Sequence, residues 1–464
     1  MRPRSGCSKP GLQRPRTRPS RSARSSPKPP KPNSDSPMKL TRRFFLRTGG
    51  ALAAYCGLSP LRALGAETVA AAASPATVRR GRTLVAIFLR GGMDGLNLVV
   101  PHGDRSYYDL RRNIAIGRPG GGGGALDLDG FFGLHPAAGA LLPLMQSGEA
   151  AVLHAVGYDK NTRSHFEEQD VWETGVIGNT VGSDGWLNRH LLTSEGHGPI
   201  RALAIGNSLP RILHGNAPAF AVRGIADLDL PKSKAPGAAV AAALEHAYVR
   251  PTGEDRAEAA DLLSRTAGST LEAVRVLREV AQRPYQPGAE YPKSGIADQL
   301  REAARLIKAG LGVEVVEIDY GGWDTHAAQG NQNGAFANLV RNLSEGLAAF
   351  RKDLGDAMDD VLVLTLSDFG RTAAENGTGG TDHGWGNCML ALGGPVVRAG
   401  GGQPRKVLGK WPGLGPGELH EKRDLLHTTD FRDVLGEVVR VHLGNPNLER
   451  VLPAHAFTPV NLVA

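Results

Sequence analysis

Cysteine is scarce: the 464 residues hold three, Cys7, Cys56 and Cys388. Two lie within the first 66 residues. The remaining chain keeps one thiol, which excludes an intrachain disulfide or a Cys-rich zinc site there. Also missing past the leader is any run approaching 18 apolar residues, so no membrane-spanning helix is expected. No Gly-x-Ser-x-Gly elbow is present, which argues against an ordinary serine esterase. There is no Walker loop and no Gly-x-Gly-x-x-Gly fingerprint, so nucleotide binding of those kinds is not indicated. A basic body is lacking too. The formal charge is +8, but residues 1–37 carry +9 and residues 38–66 a further +5, leaving the rest at −6. Positive charge confined to a leader disfavours a nucleic-acid partner. What remains is 41% hydrophobic and 22% charged overall, enough to bury a large core.

The leader has its own organisation. Residues 1–37 are rich in Arg, Pro and Ser, with too little apolar content to order themselves, and are expected to be disordered. Translation from Met38 would make them a gene-start error. From Met38 the chain runs through Arg42-Arg43-Phe44-Phe45-Leu46 and a Gly/Ala stretch to Gly65-Ala66, resembling a bacterial twin-arginine signal over residues 38–66. That resemblance implies the twin-arginine translocase as a partner and a periplasmic or extracellular destination. A linker follows over residues 67–81. Residues 82–464 are expected to form one domain, with an insertion at about 225–295 that includes a helix from Asp255 to Gln282.

Within that domain one unit recurs: a short apolar run, glycine, then a carboxylate or hydroxyl. Thr83–Leu89 leads to Gly91-Gly92-Met93-Asp94, Ala150–Val156 to Gly157 and Ser164-His165, Val313–Tyr320 to Asp324-Thr325-His326, and Val361–Leu366 to Ser367-Asp368. Such runs suit strands buried on both faces of a parallel sheet. Ile296, Leu300, Ala304 and Ile307, and then Phe336, Val340, Leu343, Leu347, Phe350 and Leu354, step with helical spacing. Gly310 stands where the first helix would end. The expected fold is therefore α/β: a mostly parallel central sheet with helices on both faces, its polar clusters beyond the strand ends, where ligands bind in such sheets.

Each cluster has two readings. Asp324 and His326, two apart in extended chain, point to one side and can grip one cation, or they are a helix-capping carboxylate and a surface histidine. His383, among glycines, is a ligand or part of a turn. Asp368 and Arg371 are a metal ligand with an anion clamp, or a structural ion pair. Asp94 is a ligand or a turn residue. Ser164 is a nucleophile or an N-cap, and as a sequence neighbour of His165 it forms no dyad on spacing alone.

Taken in order, Arg90-Gly-Gly-Met-Asp94, Ser164-His165-Phe166, Gly322-Trp-Asp324-Thr-His326, Ser367-Asp368-Phe-Gly-Arg371 and Gly380-Thr-Asp-His383-Gly resemble the bacterial family catalogued as domain of unknown function 1501. That family is similar to the alkaline phosphatase and sulfatase superfamily. The resemblance implies an alkaline-phosphatase-like fold, Asp94, Asp324, His326, Asp368 and His383 as metal ligands, and Ser164 as nucleophile. It places Phe369 where the superfamily has a metal histidine, which leaves one metal site weakened, rebuilt with His165, or lost. Arg371 or Arg163 would hold the non-bridging oxygens of the substrate. It further implies divalent metal ions, zinc or manganese and up to two, and a phosphate or sulfate ester of a small molecule or saccharide as substrate. A non-catalytic envelope protein binding a ligand or partner on the same fold is the competing expectation.

Overall fold

The computed structural model describes residues 81–180, 182–196, 198–224, 272–396 and 405–464. The leader, the linker up to residue 80 and residues 225–271 of the expected insertion lie outside the described residues. Residues 272–282, the end of the expected insertion helix, are helical.

The apolar runs become strands within two residues of their expected bounds: β1 (Thr83–Leu89), β2 (Ala150–Gly157), β5 (Val315–Tyr320) and β6 (Val361–Ser367). Four more strands join them: β3 (Ala202–Ile205), β4 (Phe220–Val222), β7 (Asn387–Gly393) and β8 (Val407–Leu408). Together they run in the order β8-β2-β7-β6-β1-β5-β3-β4, with the two-residue strand β9 (Thr429–Asp430) also paired to β2. All pairings are parallel except those of β7, which is antiparallel to both β2 and β6.

Strand β1 is buried along its whole length because helices cover both faces. Val85, Ile87 and Leu89 join a core with residues of α3 (Gly295–Lys308) and α4 (Ala335–Leu354). Leu84, Ala86 and Phe88 join the opposite core with α1 (His165–Thr174), α2 (Trp186–Thr193) and α5 (Phe431–Glu437). Period-two alternation thus feeds two apolar layers from one strand. The helical stripes behave as their spacing predicts: Phe336, Val340, Leu343, Leu347, Phe350 and Leu354 are all buried. Gly310, at φ +69°, takes the left-handed conformation just past α3.

This topology positions the site. In the register, Leu89 lies opposite both Tyr320 and Ser367, so the loops after β1, β5 and β6 leave the sheet at one edge. The loop carrying His383 precedes β7. Because β7 alone is reversed, its beginning lies at that same edge, and Asn387 pairs with Val156 near the end of β2.

Candidate metal centre

Three histidines and one aspartate meet at this edge. His165 opens α1, Asp324 and His326 follow β5, and His383 precedes β7. Nε2 of His165 lies 3.5 Å from Oδ2 of Asp324. Nε2 of His326 and of His383 lie 3.0 and 3.3 Å from its Oδ1, and 2.9 Å from each other. In a tetrahedral site with bonds of 2.0–2.1 Å, neighbouring ligand atoms stand about 3.3 Å apart. The spacings here bracket that value.

The far side of each ring is fixed by an acceptor. His165 Nδ1 is 2.5 Å from Oδ2 of Asp368, His326 Nδ1 is 3.0 Å from Oδ1 of Asp382, and His383 Nδ1 is 2.8 Å from the carbonyl of Arg163. Carboxylates and carbonyls only accept, so all three Nδ1 atoms donate and each ring turns its Nε2 toward Asp324. This is the outer-shell arrangement that orients histidines on a metal. Nε2 of His165 is buried without a hydrogen-bond partner, as expected of an atom meant for a cation.

Electrostatics follow from these contacts. The Asp368 hydrogen bond raises the His165 pKa, against burial, which lowers it. Burial lowers that of His383. Burial pushes the Asp324 carboxyl up, but the Arg371 guanidinium with His326 and His165 outweighs it and holds the group below the usual carboxylate range.

Phe369 is fully buried and packs its ring 4.7 Å from those of both His165 and His383, forming an apolar floor beneath them. Glycine is required beside it. A Cβ on Gly92 would lie 2.6 Å from the Phe369 ring, and one on Gly91 would lie 2.6 Å from the Asp324 amide nitrogen, at φ values of +66° and +117°.

Several expected roles change. Arg371 is no anion clamp: its side chain is wholly buried, and it donates to the carbonyls of Gly91, Gly92, Trp323 and Thr381 and, at 2.5 Å, to Asp324. A guanidinium so committed fixes the backbone around Asp324 and has no face for a substrate. Arg163 is likewise occupied, pairing with Asp424 and Glu421. Its backbone matters more: at φ +59° it is a strained non-glycine residue whose carbonyl orients His383. Asp368 stands behind His165 and also accepts from the Gly91 amide and Gln169. Asp94 is not brought to the histidines. It is fully buried against Arg111 at 2.6 Å and Gln329 at 2.6 Å. Among the described residues, His165, Asp324 and His383 form a group of potential ligands within 4.8 Å of one another, with His326 close to the last two, and Asp94 has no place in it.

Ser164 sits at the N-cap position of α1, yet its side chain does not cap the helix, and its hydroxyl makes no hydrogen bond to the described residues. Asp382 and Gln329 went unread in the sequence. Asp382 lies directly before His383 in the Thr-Asp-His motif, where a loop carboxylate looks like any solvated turn residue. Gln329 carried no signal, since nothing in its surroundings in the chain distinguishes it.

Fold and site together define an α/β protein with a histidine-rich cluster and one shared carboxylate at the carboxyl edge of its parallel strands. Residues 221–444, which include Asp324, His326 and His383, match the family model described as "Protein of unknown function (DUF1501)", the family that the motifs resemble. A comparison with curated proteins found no match. Among solved structures the chain is similar to Ps i-CgsB in complex with k-i-k-neocarrahexaose, at 12% identity over 82% of this chain and 75% of that one, with a TM-score of 0.36. It is also similar to PsFucS1 sulfatase from Pseudoalteromonas sp., at 13% identity over 71% of this chain and 64% of that one, with a TM-score of 0.31.

Proposed function

We propose that the chain is an exported, metal-dependent hydrolase of phosphate or sulfate esters, borne by one α/β domain over residues 82–464. His165, His326, His383 and Asp324 are its metal ligands and Ser164 its nucleophile. The observation that carries this reading is the shared orientation of three imidazoles, each with Nδ1–H given to a fixed acceptor and Nε2 turned to one carboxylate. Lone pairs gathered this closely repel one another unless a cation or protons lie among them. Three nitrogens and an oxygen suit zinc or manganese and not calcium, which takes six to eight oxygens. Such an ion supplies Lewis acidity toward an ester oxygen and lowers the pKa of a neighbouring hydroxyl.

The chain's own groups would do the rest. Ser164 presents an uncommitted hydroxyl beside His165. Its oxygen would bond to phosphorus or sulfur as the alcohol departs, and water would then release the acid and restore the serine. With Arg371 and Arg163 both occupied, the non-bridging oxygens would meet the uncapped first turn of α1, whose amide groups lack helical partners. Residues 38–66 would deliver the protein through the twin-arginine translocase to the periplasm or beyond. No helix among the described residues is long and apolar enough to cross a membrane.

Elemental analysis of protein exported by its native host tests the metal: about one equivalent of zinc or manganese per chain is expected, and its absence would end the hydrolase reading. Assayed on aryl phosphates, phosphodiesters and aryl sulfates, Ser164→Ala should lose turnover while keeping its metal. Turnover at the wild-type rate would instead make water the nucleophile.

A further inference from the structure

Asp94, left over from the metal centre, belongs to a second buried polar network whose hub is Gln329. The Gln329 side chain is fully buried and spans three segments. Its Nε2 donates to Oδ2 of Asp94 at 2.6 Å, and its Oε1 lies 2.7 Å from the Thr325 hydroxyl and 3.0 Å from the Thr381 hydroxyl. A carboxylate only accepts, so Asp94 fixes which way the amide is turned, and both threonine hydroxyls must then donate to the amide oxygen. Arg111, also fully buried, balances the Asp94 charge at 2.6 Å and donates to the carbonyls of Thr372 and Ala373.

The two threonines lie inside the two ligand-bearing loops. Thr325 separates Asp324 from His326, in a stretch folded by two consecutive tight turns, Thr325 donating its amide to the Trp323 carbonyl at 2.9 Å and His326 to the Asp324 carbonyl at 3.1 Å. Thr381 lies two residues before His383. The loops also join directly, Thr381 donating its amide to the Thr325 carbonyl at 3.1 Å, while Gln329 donates its own amide to Gly379 at 2.9 Å.

We propose that Gln329 is a positioning residue that holds the Asp324–His326 loop and the His383 loop in register, and that Asp94 serves to orient the Gln329 amide and not to bind a cation. The inference rests on the metal reading for its consequence but not for its geometry. It assigns the charge balance of Asp94 and Arg111 to alignment of two histidines on separate loops.

The test uses Gln329→Met, which keeps length and loses every side-chain hydrogen bond, with Thr325→Val and Thr381→Val as near-isosteric variants that each remove one. Cobalt(II) titration of the metal-free full-length protein, followed by its visible absorption, should show binding about tenfold or more weaker in Gln329→Met with an altered band, and smaller losses in each threonine variant. Long-range proton–nitrogen spectra of histidine-labelled, metal-free protein should show the fixed Nδ1–H tautomers of His326 and His383 in wild type and their loss in Gln329→Met. A lowered melting temperature with the cobalt band, affinity and tautomers unchanged would make Gln329 merely structural and overturn the proposal. Wild type that takes up no cobalt would instead count against the metal reading, leaving the tautomer spectra to decide the role of Gln329.

Discussion

At the scale of single residues, the centre separates groups that face the would-be ion from groups that aim them. Asp368 and Asp382 each hold one imidazole by Nδ1, at 2.5 and 3.0 Å. Changing either to asparagine leaves an amide that can present a nitrogen instead of an acceptor and frees the ring to adopt the wrong tautomer. Asp382→Asn should weaken zinc binding about 10- to 100-fold in a competition titration while leaving thermal stability nearly unchanged, because this side chain is half exposed. Asp368→Asn should weaken it by a similar factor and also destabilise the fold, since that carboxylate is fully buried and takes three hydrogen bonds. Unchanged affinity in both would remove the outer shell from the account.

Which residues would gather was partly legible. His165, Asp324, His326 and His383 follow short polar motifs at strand ends, and they do meet. Asp94, Asp368 and Arg371 come from motifs of the same kind, but a carboxylate beside a guanidinium and a carboxylate beside a metal are written with the same letter. Only the partner distinguishes them, and for Asp94 that partner is Arg111, 17 positions on, just past the short helix Arg105–Leu110 and in no motif. The backbone role of Arg163 was equally hidden, because it depends on a φ of +59° and not on the side chain.

Among elements, a buried charge network away from the site lies where α3 and α4 end. The buried Asp353 carboxylate accepts from Lys308 at 2.7 Å, from the Gly288 amide at 2.7 Å, and from the hydroxyls of Tyr285 and Tyr291. Burial pushes its pKa up, but Lys308 and the other donors outweigh it and hold the group below its ordinary value. A depressed carboxylate gives stability that is present above the unfolded pKa of about 3.9 and lost as pH falls through the folded one. Asp353→Asn should therefore cost about 2 kcal/mol in urea denaturation near neutral pH. The gap between variant and wild type should narrow below about pH 4; a constant gap would mean that packing, not charge, is responsible. Elements themselves were the most legible level. The apolar runs that became β1, β2, β5 and β6, and the stripes of α3 and α4, are long and regular. Strand β7 is less legible, because its short Cys-Met-Leu-Ala-Leu run follows a glycine-rich loop and nothing local records that it runs backwards.

For the whole molecule, a bound ion would tie together loops from three separate stretches of chain. A ligand held at a hundred times its Kd adds about 2.7 kcal/mol to the stability of the folded state. Chelation should thus lower the melting temperature by roughly 4 °C, and Asp324→Ala should abolish that sensitivity. Equal chelator effects in both proteins would place the ion elsewhere.

Strand β7 sits between β2 and β6 and is the sole bridge joining the two halves of the sheet. A nascent chain that has not yet emerged beyond residue 393 can pair β6, β1, β5, β3 and β4, but it cannot bring its last imidazole to the others. An ion at this site would be captured only once β7 has been inserted, so the compartment in which that happens would decide which metal is on offer.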